Sequence, residues 1–389
     1  MRASRSRRRQ RRTTHASPLK SPESRASSCR AVRPTRGTGI ARSACVFVPP
    51  LPLPPPGPDV ASTVILVNLG TTEAPTADAV RSFLHEFLGD PLVVDWPAWI
   101  WKPVLERVVL RTRPRRVARL YASIWSEDGP PLRVETQRLG DQLQGTLGPE
   151  TRVEVAYRYG SPGLASVVRE ARTLGPVTVI SLFPHRTSST TGTLDALVEQ
   201  VVREGKGHAV QVLHPEPDDP GYVEGLVGRW EEALDEAEEE PEHLVLSYHG
   251  IPVRHDRREG GTYRAGCLRT TRAFLERISW DPTRATTTFQ SRFGPEPWLR
   301  PATDVTLANL ARQGIGRVAV LTPGFLTEGL ETLEEIGVEA RHTFLEAGGK
   351  SFLRVPCVGA HPELVGGLAC LARGSMEARP SVADEGPHR

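Results

Sequence analysis

Cysteine is scarce: the chain has five in 389 residues, Cys29, Cys45, Cys267, Cys357 and Cys370, and no two of them stand in C-x-x-C spacing. That scarcity argues against a disulfide framework in a chain this long and leaves a zinc ribbon unsupported. Only three of the five lie beyond residue 60, one short of the four thiolates that usually hold an iron–sulfur cluster. No cluster is expected, and the thiols read as unpaired in a reducing compartment. Long apolar runs are missing too. The nearest approach to the ~18–20 apolar residues of a membrane-spanning helix is the stretch 92–110, which Asp95, Lys102, Glu106 and Arg107 interrupt. Neither G-x-x-x-x-G-K-[ST] nor G-x-S-x-G occurs, and the close glycine pair Gly314-Ile315-Gly316 precedes its strand instead of following it. Dinucleotide, nucleotide and serine-hydrolase readings therefore lose their fingerprints.

The formal charge of +3 hides an asymmetry. Residues 1–60 carry 13 basic groups against Glu23 and Asp59, a net of +11, and residues 61–389 carry 36 basic and 44 acidic groups, a net of −8. An acidic body excludes nucleic acid as its main partner, since phosphate binding needs a basic surface. The first 60 residues, with the run Arg5-Ser6-Arg7-Arg8-Arg9-Gln10-Arg11-Arg12 and the proline-rich 49–56, lack the apolar stretch of a signal peptide and cannot build a core. They read as a disordered basic tail or as leader translated from a start placed too far upstream. A transit peptide shares the same basic, Ser-rich, acid-poor composition. The body is accordingly expected in the cytoplasm, with organelle import left open.

Beyond the tail, short apolar runs alternate with helical patterns. Strands are predicted at Val64–Asn68, Val153–Tyr157, Val177–Phe183, Val210–Leu213, His243–Tyr248, Thr286–Phe289, Val318–Leu321 and Phe352–Val355. Helices are predicted at Thr76–Phe87, Leu132–Leu147, Gly163–Thr173, Leu194–Arg203, Tyr222–Glu238 and Ala302–Gln313. Continuous apolar strands separated by helices imply parallel sheets covered on both faces. Eight strands with a polar break near 216–221 favour two similar doubly wound, Rossmann-like α/β domains with four-stranded parallel sheets and a cleft between them. The predicted boundaries are 61–218 and 219–373, with a disordered tail over 374–389. A (β/α)8 barrel is the alternative, and the long non-repeating segment between the first two strands counts against it.

In such sheets ligands bind beyond the carboxyl ends of the strands. The residues found there are Arg158-Tyr159, the segment Pro184-His185-Arg186 with its hydroxyl-rich continuation, His249-Gly250-Ile251-Pro252, Gln290-Ser291-Arg292-Phe293-Gly294, and Pro323-Gly324-Phe325 ahead of Glu328 and Glu331. His249 ends a buried strand and precedes Gly-Ile-Pro, so the chain turns there and aims the imidazole at the crevice. A structural histidine and a solvated helix carboxylate are the bland readings of His249 and Glu331. A neutral imidazole facing a carboxylate, without thiolates or a third histidine, makes a weak, open site for a borderline divalent ion. It also makes a proton-accepting pair. Trp96, Trp99 and Trp101, beside Arg111, Arg113, Arg115 and Arg116, read either as an apolar lip for a membrane surface or flat ligand, or as an aromatic face packed inward.

Over roughly residues 63–373 the sequence resembles the ferrochelatase family, on Val64-Ile65-Leu66-Val67-Asn68-Leu69-Gly70-Thr71, Ser247-Tyr248-His249-Gly250-Ile251-Pro252, Thr288-Phe289-Gln290-Ser291-Arg292-Phe293-Gly294, and Pro323-Gly324-Phe325 continuing into Leu330-Glu331-Thr332-Leu333-Glu334-Glu335-Ile336. The His-Gly-Ile-Pro and Gln-Ser-Arg-Phe-Gly versions resemble the protoporphyrin-using branch. The resemblance implies insertion of ferrous iron into protoporphyrin IX, with His249 and Glu331 as the residues for iron binding and proton abstraction. It makes Arg158, Tyr159 and Arg292 candidate porphyrin contacts, with iron a substrate and no resident cofactor. A monomer is expected. The family's Leu-Phe-Pro-Gln-Tyr-Ser pattern departs here to Leu182-Phe183-Pro184-His185-Arg186-Thr187, so porphyrin contacts of that loop do not carry over. A chelatase for another metal or tetrapyrrole, and a non-catalytic porphyrin carrier, are the competing expectations.

Overall fold

The computed structural model describes residues 61–294 and 296–377. The expected tails at 1–60 and beyond 377 lie outside the described residues. Eight strands form: β1 (Ser62–Asn68), β2 (Thr151–Tyr157), β3 (Val177–Ser181), β4 (Val210–Leu213), β5 (His243–His249), β6 (Ala285–Gln290), β7 (Arg317–Leu321) and β8 (Ser351–Arg354). They build two parallel four-stranded sheets of identical topology, β2-β1-β3-β4 and β6-β5-β7-β8. This is the doubly wound architecture read from the sequence, and the barrel alternative falls because the sheets stay open and separate.

Thirteen α-helices are described. The first half carries α1 (Ala77–Gly89), α2 (Ala98–Val104), α3 (Leu110–Thr112), α4 (Pro114–Ile124), α5 (Pro131–Leu147), α6 (Leu164–Leu174) and α7 (Thr193–Glu204). The second carries α8 (Pro220–Asp235), α9 (Val253–Arg258), α10 (Thr262–Arg277), α11 (Thr303–Arg312), α12 (Arg341–Glu346) and α13 (Pro362–Glu377). Local chemistry sets several of the starts. Thr76 caps α1 by accepting from Ala79 N–H, Asp219 caps α8 by accepting from Tyr222 N–H, and proline occupies the first turn of α4, α5 and α8.

Period-two alternation sends the central strands into two cores. Val64 and Leu66 of β1 join Leu244, Leu246 and Leu321 of the second sheet in one central core with α5, α8, α10 and α13, while Ile65 and Val67 face outward under α6 and α7. Val245, Val318 and Val320 face a third core under α11 and α12. Each fully buried aliphatic side chain contributes about 1.5–3 kcal/mol. The shared helical layer therefore binds the halves into one body. α13 closes it by returning to the first sheet, where Ser375 hydrogen-bonds Thr178 and Gln211 at 3.3 and 2.7 Å. Glycine permits the crossing of α8 and α13: a Cβ on Gly221 would stand 2.7 Å from the Gly367 Cα. The predicted boundary at 373 thus falls inside a helix, and residues 374–377 are its last turn, not tail.

Candidate functional site

Strand order locates the site. In 6-5-7-8 topology the connections leave β5 in opposite directions, so a crevice opens past the carboxyl ends of β5 and β7. His249 is the last residue of β5, and Glu331 opens the segment after β7. That segment, Leu330–Ala340, is a π-helix of eleven residues, a geometry that is rare at this length and common at functional sites.

The half-buried His249 ring has one nitrogen committed. Its Nδ1 lies 2.6 Å from the Gly250 carbonyl oxygen, which can only accept, so Nδ1 carries a proton, and in the neutral ring the lone pair is on Nε2. The strand end is held from both sides. Tyr263 on α10 donates to the His249 carbonyl at 2.6 Å, and His249 pairs in register with Gln290 on β6.

Gln290 carries the link onward. Its amide donates to the Glu331 carbonyl at 2.8 Å and to the Glu335 carboxylate at 3.0 Å, and its own oxygen accepts from Ser247 at 2.7 Å. Ser291, held at φ 62°, gives its backbone N–H to Glu335 at 2.7 Å and its hydroxyl to the same carboxylate. A non-glycine residue in the left-handed region costs energy that such contacts offset. The turn is thus bolted to the β6 end, where Glu335 is engaged.

Glu331 lines a cleft of about 340 Å³ between the two halves. Arg113, Arg116, Val117 and Leu120 wall it from the first half; Ser291, Leu330, Glu334, Glu335 and Glu339 wall it from the second. Burial pushes the Glu331 carboxyl above the ordinary carboxylate range against the hydrogen bond from its own backbone N–H and the neighbouring His249, and Glu335 adds to the rise. Tyr121 on α4 belongs to the same neighbourhood: burial raises its phenol, the Glu331 charge raises it further, and the Thr71 hydroxyl opposes. Among the described residues no cluster of three or more His, Cys, Asp or Glu is arranged to hold a metal ion.

The other candidates lie elsewhere. Arg158 pairs with Asp90 at 2.5 Å, donates to the Thr193 carbonyl at 3.1 Å and packs over the Tyr159 ring. Tyr159 is buried and donates to the same Asp90 at 2.9 Å. Both side chains are engaged at the end of α1, and neither is among the residues that wall the cleft. Arg292 is exposed and pairs with Asp304 at 2.7 Å. In the divergent loop His185 is buried with its Nε2 on Thr270 at 2.8 Å, and desolvation drives its pKa down to about 3. Cys267 and Cys357 are free and buried, and Cys370 is free and exposed. The tryptophan segment divides: Trp101 packs inward and donates to the Leu88 carbonyl, while Trp99 is 79% exposed.

Sequence reasoning missed Tyr121 and the holding role of Gln290, and it named Arg113 and Arg116 only as basic neighbours of the tryptophan segment. Gln290 was visible only as a member of a motif, and Tyr121 sits in a helix with no spacing signal of its own.

Fold and site together define a doubly wound α/β protein with a cleft beyond the strand ends of its second sheet, lined by Glu331, Glu334, Glu335 and Glu339. The ferrochelatase family model matches residues 61–376. A ferrochelatase of Chelativorans sp. is 41% identical over 320 residues, covering 80% of this chain and 90% of the relative. Those of Methylibium petroleiphilum and Bordetella pertussis are each 40% identical, over 330 and 334 residues, covering 83% and 84% of this chain and 90% and 91% of the relatives. The chain belongs to the ferrochelatase family.

Proposed function

We propose that the protein inserts ferrous iron into protoporphyrin IX to make protohaem, with His249 as proton acceptor and Glu331 as the carboxylate that receives the metal. The observation that carries this reading is the pair itself: an imidazole at the end of β5, and a carboxylate at the first turn of the π-helix after β7 whose backbone is tied to the neighbouring strand end through Gln290.

A planar macrocycle with two inner N–H groups admits a metal through its face only when bent and deprotonated. Binding energy from the macrocycle's periphery offsets that strain, of order 1–5 kcal/mol in general. Two protons leave as Fe2+ enters, one at a time: the lone pair on His249 Nε2 accepts the first at the pyrrole side, passes it to solvent, and then accepts the second. Glu339 is exposed and Glu331 half-buried on the same π-helix, which gives a cation a carboxylate-lined approach. Two ligand types without thiolate hold iron weakly enough to release it into the ring. Arg113 and Arg116 are the cations nearest the cleft for the propionates, in preference to the already paired Arg158.

No helix among the described residues is long and apolar enough to cross a membrane. Trp99, Leu92 and Val108 are exposed on the 92–110 segment, and as part of this proposal they contact a bilayer surface peripherally. Trp99→Ala should then lose vesicle association without losing activity in detergent-solubilised assays. Anaerobic Fe2+ mixed with protoporphyrin, followed by loss of porphyrin fluorescence, tests the reaction itself.

A further inference from the structure

Glu135, on α5 of the first half, accepts a hydrogen bond from the Glu328 backbone N–H at 2.7 Å. Glu328 is the hub of the link between β7 and the π-helix. Its buried carboxylate accepts from Arg354 at 2.7 Å, from Cys357 N–H at 3.0 Å and from the Thr332 hydroxyl. The Thr332 hydroxyl in turn accepts from Gly329 N–H at 2.9 Å. Glu331 lies inside this ring of contacts, three residues past Glu328 and one before Thr332. A second tie from the first half, Asn68 to Thr327 at 2.9 Å, is neutral. Glu135 supplies the charged one.

Placing a carboxylate there is unfavourable. Desolvation and the Glu328 charge push Glu135 up to about 7, against the opposing Glu328 N–H, Arg229 from α8 and Arg138 from α5 itself. The other charged or titratable groups around it are Arg133, paired with Glu73, Arg354 from β8, and Cys357, whose thiol is pushed up by burial and by both glutamates. A fold that needed only an acceptor at this N–H would be served by an amide at lower cost.

We propose that Glu135 is a positioning residue for metal insertion: its carboxylate fixes the Glu328 N–H and thereby where the Glu331 carboxylate stands in the cleft. The inference rests on the reading of Glu331 as the metal-receiving group. An ionised acceptor holds an N–H more tightly than a neutral one, so the hold is strongest above the pH at which Glu135 ionises.

The test compares full-length wild type, Glu135→Gln and Glu135→Leu from pH 6 to 8.5, reading kcat and porphyrin KM for iron insertion, Co2+ affinity without porphyrin, and Tm. Glutamine should match wild type near pH 6 and fall several-fold behind in kcat and Co2+ affinity by pH 8, with KM unchanged. Leucine should lose about ten-fold at every pH, in line with the sensitivity of catalysis to small displacements. Because the raised pKa makes the ionised wild type less stable as pH rises towards 7, the glutamine variant should melt at or above wild type at pH 8. Lower activity with equal or greater stability is an outcome that a merely structural role does not give. Glutamine equal to wild type in kcat and Co2+ affinity at pH 8 overturns the proposal. Wild type that binds Co2+ with the expected Glu135 dependence yet inserts no iron would sink the reaction instead and leave this inference standing.

Discussion

His249 and Gln290 are register partners at the ends of β5 and β6, and Gln290 donates from there to the Glu331 carbonyl at 2.8 Å. One pair of strands therefore fixes both members of the proposed site: the imidazole directly, and the carboxylate through an amide that grips its backbone. The Ser247 hydroxyl orients that amide at 2.7 Å and bonds Thr303 at 2.8 Å. The geometry of the pair thus depends on a buried polar network.

The network predicts the effect of Gln290→Leu. Leucine fills similar space but leaves the Glu331 carbonyl, Glu335 and Ser247 short of partners. Stability should fall by about 1–3 kcal/mol, read by denaturant unfolding. Iron insertion should fall further than unfolding explains, because the π-helix loses its link to β6.

Glu331→Gln should remove most of the insertion rate while leaving porphyrin binding intact. Wild-type activity should also fall on acidification at a pH above the ordinary carboxylate range, because burial favours the protonated form of Glu331. The check is a pH–rate profile under single-turnover conditions. A Glu331→Gln variant with wild-type rates would remove the carboxylate from the mechanism.

The loop before α2 is tied to α9 by charge. Asp95 accepts from Arg254 and Arg258 and lies 3.1 Å from His255, and Glu296 accepts from Arg254 and from the Trp96 indole. The Arg254 guanidinium, then Arg258 and His255, hold the Asp95 carboxyl well below its usual range against the cost of burial. A depressed carboxylate stabilises the fold above its unfolded pKa of ~3.9 and loses that contribution as pH falls further. Hydrogen exchange over 90–112 should therefore quicken in Asp95→Asn at pH 7, and the difference from wild type should shrink towards pH 3.

Gly70 turns the chain at the end of β1 with φ 106°, and a Cβ there would stand 1.8 Å from the Tyr159 carbonyl oxygen. Both strain and overlap oppose any side chain. Gly70→Ala should cost more than about 3 kcal/mol, seen as loss of soluble protein or a large drop in Tm.

All eight strands were legible in the sequence, the central ones because parallel strands buried on both faces read as continuous apolar runs; the structure moves their ends by two residues or fewer. α10 and α13 escape that reading. The first is rich in Thr and Arg, and the second carries Gly366 and Gly367 in mid-helix, which lowers helix propensity by ~1 kcal/mol each. Local spacing also cannot show that a helix will take π geometry. The Asp90 partnership of Arg158 and Tyr159 brings together residues 68 and 69 positions apart, and tertiary pairing of that kind leaves no trace in motif spacing. The Trp96–Trp101 segment offered two readings, and the fold uses both, with Trp101 inside and Trp99 outside.

The central claim is that a neutral His249 accepts the porphyrin's protons. Its most direct test is the initial rate of anaerobic Fe2+ insertion into protoporphyrin by wild type and His249→Ala, at matched porphyrin occupancy. A fall of about 100-fold or more is expected, the usual scale of lost general-base catalysis, whereas equal rates would contradict the account.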